Sequence, residues 1–385
     1  MENTIIETGN EVNFTRSGFS AEPGKSTKEI MRDIDEVMDD AIAFHRNDLY
    51  DHTRLVSRTF DGINRLYIKD EYGRKGLMAF KIMGVEYAIH RLFEETGHID
   101  PNTVLTTMTD GNHGAAVAYV AKKYGVKAII FVPKNMTQER MKRIEERGAE
   151  LRVVDGMYDD AIAEVRREAK KNQWIVISDT AWDGYESIPK YISTGYCAIF
   201  NEAIDQISEL PIEKGGYPTH IFLQTGVGGF PSAGVAYAVL RLNPRPKLIC
   251  VEPSDADCVY ENIKQGCYEG TMMSKGNTDS IMSGLNCGLP STTAWPILRD
   301  YVDMYITIGD NWARKAVRAL YHHPKRVMAG ESGAAGLAGL MACLDTPELK
   351  EKLDLNSESN VLIVSTEGVT DKSTFNDIIG YPVFD

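Results

Sequence analysis

Short apolar runs alternate with longer amphipathic stretches along the chain from about residue 100 onward. The runs that predict strands are TVLTTMT (103–109), KAIIFVP (127–133), ELRVVD (150–155) and WIVISD (174–179). The stretches between them, HGAAVAYVAKKYG, TQERMKRIEERGA and YDDAIAEVRREAKKN, predict helices. A second series has THIFLQTG (219–226), KLICVEP (247–253) and NVLIVSTEG (360–368) as strands, separated by helical stretches such as PSAGVAYAVLRL and GAAGLAGLMACL.

This alternation predicts an α/β fold. Strands separated by helices of about 10 to 15 residues are typical of βαβ units, in which helices cover both faces of a parallel sheet. Two such series predict two lobes, each with a mostly parallel, twisted sheet flanked by helices. Ligands of open parallel sheets bind beyond the carboxyl ends of the strands, so the residues just after each run are candidates for a site. Residues 1–40 are polar and mixed, and we expect an arm or an irregular entry there, without an assigned role.

Composition narrows the possible functions. The 385 residues, 43% of them hydrophobic, can bury more than one core. The net charge of −13 argues against a nucleic-acid partner or an anionic membrane surface. No run approaches the roughly 18 apolar residues of a membrane helix, and the N-terminus lacks a signal-peptide pattern, so we expect a cytoplasmic protein. The 6 cysteines are dispersed without zinc-type spacing, which predicts thiols and no structural metal.

The first candidate site is Gly226-Val227-Gly228-Gly229, which follows an apolar run and precedes a predicted helix that opens with Pro231. Glycines let the backbone come close to a phosphate, and a helix N-terminus offers free N–H donors. The segment lacks the Lys and Ser/Thr of a nucleoside-triphosphate loop, and proline replaces the third glycine of the dinucleotide fingerprint. It predicts either a phosphate cradle or a tight turn.

The second candidate is Asp110-Gly111-Asn112-His113-Gly114, at the end of the run TVLTTMT and just before a predicted helix. Asp, Gly and Asn are common in strand-to-helix turns, which need no ligand. At the carboxyl edge of a sheet, however, an amide can donate to a ligand and a carboxylate can act as a base. Both interpretations hold for this segment.

The third candidate is Lys81, which has the apolar neighbours Leu77, Phe80, Ile82 and Met83. Desolvation favours the neutral amine, and a neutral amine can form a Schiff base with an aldehyde. The alternative is an ordinary lysine that extends its ammonium group to water.

Taken together, the three segments resemble the pyridoxal-phosphate (PLP) dependent enzymes of fold type II, which include threonine dehydratase, serine dehydratase and cysteine synthase. The matching order is G-L-x-A-F-K, then a strand ending in D-G-N-H-G, then a glycine-rich strand-to-helix loop. The resemblance implies a large PLP-binding domain formed by residues 1–86 and 201–385, and a small α/β domain of residues 87–200. It also implies a homodimer.

Further motifs are similar to the diaminopropionate ammonia-lyase branch of that family. Most of the family has Ser before G-N, whereas this chain has Asp110. The other matches are Ser178-Asp179-Thr180-Ala181-Trp182, Met282-x-Gly284-Leu285-x-Cys287-Gly288, Glu331-Ser332-Gly333-Ala334 and Ser365-Thr366-Glu367-Gly368. The similarity runs from about residue 60 to 372.

The resemblance implies a role for each matched residue. Lys81 would be the Schiff-base lysine, Asn112 would contact the 3′ oxygen of the ring, and Asp110 and Asp179 would form the acid-base pair. The remaining cofactor contacts would be Gly226, Val227, Gly228 and Gly229 at the phosphate, and Ser365 or Thr366 at the pyridine nitrogen. The implied reaction is the loss of ammonia from D- or L-2,3-diaminopropionate. Its aminoacrylate product then hydrolyses to pyruvate and ammonia.

Other residues and functions stay open at this point. Cys258 and Cys287 match a cysteine pair of the family, and we expect free thiols in a reducing compartment. His90 and His113 are expected to be structural. A serine or threonine dehydratase would use the same cofactor but has no carboxylate at position 110. An NAD-dependent oxidoreductase would leave Lys81 unexplained, and a non-catalytic metabolite-binding protein would leave the two aspartates without a role.

Overall fold

The computed structural model describes residues 9–16, 23–47, 52–109, 111–134, 136–155, 158–211, 216–268 and 270–384. Its strands are β1 (Val12–Thr15), β2 (Leu55–Phe60), β3 (Ile63–Asp70), β4 (Val104–Met108), β5 (Lys127–Pro133), β6 (Glu150–Val154), β7 (Ile175–Val176), β8 (His220–Gln224), β9 (Lys247–Pro253), β10 (Met304–Ile308) and β11 (Asn360–Ser365). Its α-helices are α1 (Lys25–Arg46), α2 (Lys81–Thr96), α3 (Asn112–Tyr124), α4 (Gln138–Glu145), α5 (Tyr158–Asn172), α6 (Ser187–Ser208), α7 (Gly229–Arg241), α8 (Cys258–Lys264), α9 (Trp295–Tyr301), α10 (Asp310–Tyr321), α11 (Glu331–Asp345), α12 (Pro347–Leu353) and α13 (Lys372–Ile379).

The strands form two sheets. The larger has 7 strands in the order β1-β10-β9-β8-β11-β3-β2, and only its edge strands β1 and β2 pair antiparallel to their neighbours. The smaller has 4 strands in the order β6-β5-β4-β7, all parallel. The predicted α/β class with two mostly parallel sheets is therefore confirmed. The predicted domain limits near residues 86 and 200 fall inside α2 and α6, and they stay a prediction.

Most of the predicted elements match the structure closely. The runs at 127–133 and 247–253 are strands with those bounds, and the amphipathic stretch at 158–172 is α5. The run at 174–179 gives only the short strand β7, because the chain then turns toward the cleft between the sheets. Strands β1, β2, β3 and β10 were not predicted.

The expected irregular arm at residues 1–40 is wrong where α1 lies. Its apolar side chains recur every three or four residues at Met31, Ile34, Met38 and Ile42, and all four are buried. This stripe packs against α6 and α9. The helical period is present in the sequence, but the many charged residues between these positions make the segment polar on average.

Helices α2 and α6 cross at very short range. An added Cβ at Gly84 of α2 would lie 2.4 Å from the carbonyl oxygen of Ile192, and one at Gly195 of α6 would lie 2.6 Å from that of Met83. The absence of side chains at both positions lets the two backbones touch. This crossing sets where the N-terminus of α2, with Lys81, stands relative to α6.

A buried network of charges supports the same region. Arg74 donates to Glu71 at 2.8 Å and to Glu202 of α6 at 3.0 Å, and Lys69 of β3 pairs with Glu202 as well. Removing one member of such a network would leave a buried charge without its partner. The chain that leads from β3 to Lys81 is thus fixed against α6.

Within the described residues, no helix combines the length and the apolar character that crossing a membrane requires.

The close crossing of α2 and α6 gives a direct test. Gly84→Ala forces the new methyl group into the backbone of Ile192 and is expected to lower the free energy of unfolding by about 1 to 3 kcal/mol, as overpacking does. Urea unfolding measures this change. The matched control is Gly73→Ala, because a Cβ at Gly73 would meet no atom within 4 Å. Equal stability of the two variants would contradict the tight crossing.

Candidate active site

A cavity lies where the carboxyl ends of strands from both sheets meet. The segments that follow β4, β8 and β11 all line it, as the rule for parallel sheets predicts. Lys81 and Asp179 line it too. Most of the residues singled out in the sequence are therefore brought together from distant parts of the chain.

Lys81 is the first residue of α2 and forms an ion pair across the cavity. Its Nζ lies 2.5 Å from Oδ2 of Asp179, and the two side chains are only 21% and 19% exposed. Burial acts to lower the pKa of Lys81, but the carboxylate of Asp179 outweighs it, so the pKa is raised. Burial likewise acts to raise the pKa of Asp179, and the ammonium of Lys81 outweighs it, so this pKa is lowered. Both groups are charged in this state.

The segment that carries Lys81 is tied to the end of β11. The backbone N–H of Phe80 donates to the carbonyl of Thr366 at 3.0 Å, and that of Gly368 donates to the carbonyl of Met78 at 2.8 Å. Lys81 is thus held beside the hydroxyl-bearing residues that follow the last strand.

The segment around Asn112 lies across the cavity. Asp110 lies outside the described residues, so its predicted role stays a prediction. The side-chain amide of Asn112 donates to Glu367, and its oxygen accepts from Arg143 at 3.3 Å. Both ends of the amide are thus occupied, which fixes its orientation toward the cavity. His113 contacts the carbonyl of Ile177 through Nε2 at 2.8 Å, and its Nδ1 lies 3.8 Å from Oδ2 of Asp179. It therefore also borders the ion pair, and its structural role stays a prediction.

The glycine-rich loop opens α7, a helix of 13 residues. All four residues of the loop line the cavity. Gly228 has φ of +102°, and its added Cβ would lie 2.9 Å from Cβ of Ala294, so glycine is required there. The carbonyl of Val227 accepts from the backbone of Ser291 at 2.8 Å, while the hydroxyl of Ser291 accepts from the backbone N–H of Ala181 at 2.9 Å. Ser291 thus joins this loop to the segment that holds Asp179.

The two hydroxyl candidates after β11 differ in position. Thr366 lines the cavity, and its Oγ1 accepts from Nε2 of Gln224 at 3.0 Å. Because that oxygen accepts from Gln224, its own proton can be donated to a ligand. Ser365 is fully buried, and its Oγ has no hydrogen-bond partner among the described residues. Which of the two meets a cofactor stays a prediction.

Cys258 and Cys287 both lie beside Gly226 of the loop. Both are thiols in this structure, as expected. The Sγ of Cys258 donates to the carbonyl of Gly226 at 3.7 Å, and an added Cβ at Gly226 would lie 3.1 Å from Sγ of Cys287. Both thiols therefore border the phosphate-binding candidate, and Cys287 also lines the cavity.

Several cavity residues were not given a role from the sequence. They are Arg140, Arg143, Tyr196, Gln224 and Glu367. Arg140 and Arg143 stand three apart on α4, so the amphipathic pattern did place them on one helix face. Nothing in that pattern indicated that this face turns toward a cavity rather than solvent.

The donor set of the cavity suits an aldehyde cofactor that carries a phosphate. A lysine amine stands at one side, and a helix N-terminus with a glycine-rich approach stands at another. The left-handed backbone at Gly228 shapes the turn that leads into this helix, and the hydroxyl of Thr366 can donate to a ring atom. The residues present therefore fit such a group.

Comparisons with known proteins agree with this geometry. The family model for "Pyridoxal-phosphate dependent enzyme" matches residues 52–367. The chain is 38% identical to diaminopropionate ammonia-lyase of Escherichia coli K12 over 339 residues, covering 83% of this chain and 83% of that protein. It is 34% identical to the protein of the same name from Salmonella typhimurium LT2 over 379 residues, covering 88% and 91%. The crystal structure of Escherichia coli diaminopropionate ammonia lyase with an aminoacrylate-PLP azomethine reaction intermediate superposes with a TM-score of 0.84 at 34% identity, covering 97% of both chains.

A buried carboxyl group beside the cavity should make stability depend on pH. Burial raises the pKa of Glu331 to about 7, and its Oε1 has no hydrogen-bond partner among the described residues. Because the pKa is higher in the folded protein than in the unfolded chain, this group stabilises the fold fully at pH values below about 4.5. The contribution is lost as the pH rises through about 7.

The Glu331→Gln variant has no carboxyl group to ionise. Its free energy of unfolding minus that of the wild type should therefore rise by about 2 to 3 kcal/mol as the pH goes from 4.5 to 7.5. Urea unfolding at a series of pH values measures the difference. The control is Ser357→Ala in the exposed turn before β11, which has no carboxyl group and should keep a constant difference from the wild type over the same range. A flat difference for Glu331→Gln as well would contradict the effect of burial.

Proposed function

Since this chain belongs to the pyridoxal-phosphate dependent enzymes, and within them to the diaminopropionate ammonia-lyases, we propose that it removes the β-amino group of D- and/or L-2,3-diaminopropionate as ammonia. Water then hydrolyses the aminoacrylate product to pyruvate and a second ammonia. It is a carbon–nitrogen lyase, and its cofactor is pyridoxal phosphate. The observation that carries the proposed substrate is the carboxylate of Asp179, which is held in the cavity within 2.5 Å of the lysine amine.

The proposed cofactor contacts follow from the site. Lys81 holds the cofactor covalently, and the N-terminus of α7 with Gly226, Val227, Gly228 and Gly229 holds its phosphate. Asn112 donates to the ring oxygen, and Thr366 or Ser365 pairs with the pyridine nitrogen. When bound, pyridoxal phosphate supplies an electron sink for the carbanion that forms at the α-carbon of an amino acid.

The chain's own side chains hold and move the charges of the substrate. Asp179 pairs with the substrate's second ammonium group, a charge that hydroxy-amino acids lack. Lys81 accepts the α-proton from one enantiomer, and Asp110 accepts it from the other. The role of Asp110 rests on its place in the D-G-N-H-G motif.

Asn112 needs a fixed orientation to act as a donor. Arg143 donates to its oxygen at 3.3 Å, and Glu367 accepts from its nitrogen. A flipped amide would place its nitrogen against a donor and its oxygen against an acceptor. The amide nitrogen uses one N–H on Glu367, and we assign its second N–H to the ring oxygen.

We also propose that the enzyme works in the cytoplasm as a homodimer. Six free thiols support a reducing compartment, since disulfides are rare there. The dimer is an expectation that comes with the family.

The proposed reaction predicts both a cofactor spectrum and a product. The purified protein should show the visible absorption band of bound pyridoxal phosphate and form pyruvate from 2,3-diaminopropionate but not from L-serine. Lys81→Ala should lose the covalent band and reduce pyruvate formation at least about a thousandfold, as the loss of a nucleophilic group does.

Each possible result of that assay has a distinct meaning. A protein without the band would contradict the cofactor assignment. A protein with the band that makes pyruvate from serine alone is instead a serine or threonine dehydratase.

The division of labour between Lys81 and Asp110 predicts an enantiomer-dependent effect. Asp110→Asn keeps the size of the side chain but removes the base, so turnover of one enantiomer should fall about 100-fold or more while the other changes little. Steady-state pyruvate assays with separate D and L substrates measure this. Asp183 is exposed and follows Asp179 in the same segment of the chain, and Asp183→Asn is the control. Unchanged rates for both enantiomers in Asp110→Asn would refute the two-base assignment.

A further inference from the structure

Tyr196 of α6 is a cavity residue that the proposed mechanism does not use. Its side chain is 1% exposed and lines the cavity with Lys81 and Asp179. The ring packs on Phe80 with centroids 4.7 Å apart and against Phe230 at 6.3 Å. The ring is therefore held in place by other rings, independently of its hydroxyl group.

The hydroxyl group of Tyr196 lacks a partner. It is buried, and it makes no hydrogen bond to any of the described residues. Buried polar groups in folded proteins are nearly always hydrogen-bonded, so an unpaired hydroxyl that borders a cavity suggests that a ligand supplies the missing bond. Nothing in the packing of α6 requires a tyrosine rather than a phenylalanine at this position.

The charges around the hydroxyl indicate the kind of ligand. Tyr196 interacts electrostatically with both Lys81 and Asp179, and burial keeps its pKa above the usual value, so the phenol stays neutral. A neutral phenol can accept from a cation while it donates to a carboxylate. In this structure Asp179 is paired with Lys81. In the working enzyme the substrate's amine displaces Lys81 from the cofactor, and the substrate then brings a second ammonium group into the same site.

The chemistry of the proposed substrate matches these groups. An ammonium group has three N–H donors, and a carboxylate on one side satisfies only part of them. A second acceptor in a buried site adds a charge-assisted hydrogen bond. A hydroxy-amino acid has one donor at the same carbon, so it gains less from the second acceptor.

We propose that the hydroxyl of Tyr196 accepts a hydrogen bond from the substrate's β-ammonium group, beside the carboxylate of Asp179. Tyr196 is then a residue that selects diamino acids over hydroxy-amino acids. This inference rests on the proposed function, which it extends from the acid-base groups to the recognition of the leaving group.

The test uses the cofactor-loaded enzyme with Tyr196→Phe, which keeps the ring contacts and removes only the oxygen. Binding is measured by titrating the visible cofactor band with 1,2-diaminoethane, which carries a second ammonium group, and with ethylamine, which does not. The variant should bind 1,2-diaminoethane about 10- to 100-fold more weakly, the effect of losing one hydrogen bond to a charged group. Its affinity for ethylamine should stay within about twofold of the wild type.

Turnover gives a second measurement. The kcat/KM of Tyr196→Phe for 2,3-diaminopropionate should fall by a similar factor, about 10- to 100-fold. The matched control is Tyr237→Phe on α7. Tyr237 is 4% exposed, and its hydroxyl donates to Asn201 at 3.2 Å outside the cavity. This control should leave the affinity for both amines and the turnover unchanged.

Contrary outcomes separate the two proposals. Equal losses for 1,2-diaminoethane and ethylamine in Tyr196→Phe, or no loss for either, would overturn the role of Tyr196 even in an enzyme that makes pyruvate. A wild-type protein that makes no pyruvate from 2,3-diaminopropionate would overturn the proposed function. A wild-type protein that binds both amines equally would overturn the proposed recognition by Tyr196.

Discussion

The ion pair between Lys81 and Asp179 is the interaction on which the site depends. The two side chains are about four-fifths buried, and burial by itself favours the neutral form of each. Their mutual attraction outweighs this desolvation cost, so both stay ionised. The pair joins the first turn of α2 to the segment after β7, and so it connects the two sheets. A buried lysine without this carboxylate would lose its proton more readily, and a buried carboxylate without the lysine would need another cation.

The surrounding structure keeps this pair in position. The glycines at the crossing of α2 and α6 bring Lys81 close to Tyr196, and the hydrogen bonds of Ser291 tie the segment of Asp179 to the glycine-rich loop. The backbone bonds between residues 78–80 and 366–368 place the lysine beside the last strand. An anion cradle, an amine and a carboxylate therefore share one cavity, and a phosphorylated aldehyde and a diamino acid are the ligands that use all three.

Much of the fold and part of the site could be predicted from local patterns. Periodicity predicted the α/β class and most strands and helices of the parallel sheets, and motif order predicted which segments meet at the cavity. Periodicity did not reveal α1, because charged residues separate the apolar positions of its buried stripe. It also missed the edge strands β1 and β2, which depend on pairing with partners elsewhere in the chain. Arg143 and Tyr196 went without a role because a helix period says which residues share a face but not what that face meets.

The sequence by itself determined the alternation of strands and helices, the glycine-rich approach to α7 and the reactive residue types, because these depend on neighbouring residues and on backbone conformation. Only the tertiary structure decided that Lys81 pairs with Asp179, that Glu367 and Arg143 orient Asn112, and that the hydroxyl of Tyr196 borders the cavity without a partner. Those contacts join residues far apart in the chain, and they form only when the close packing of α2 on α6 and the order of strands in two sheets bring their segments together.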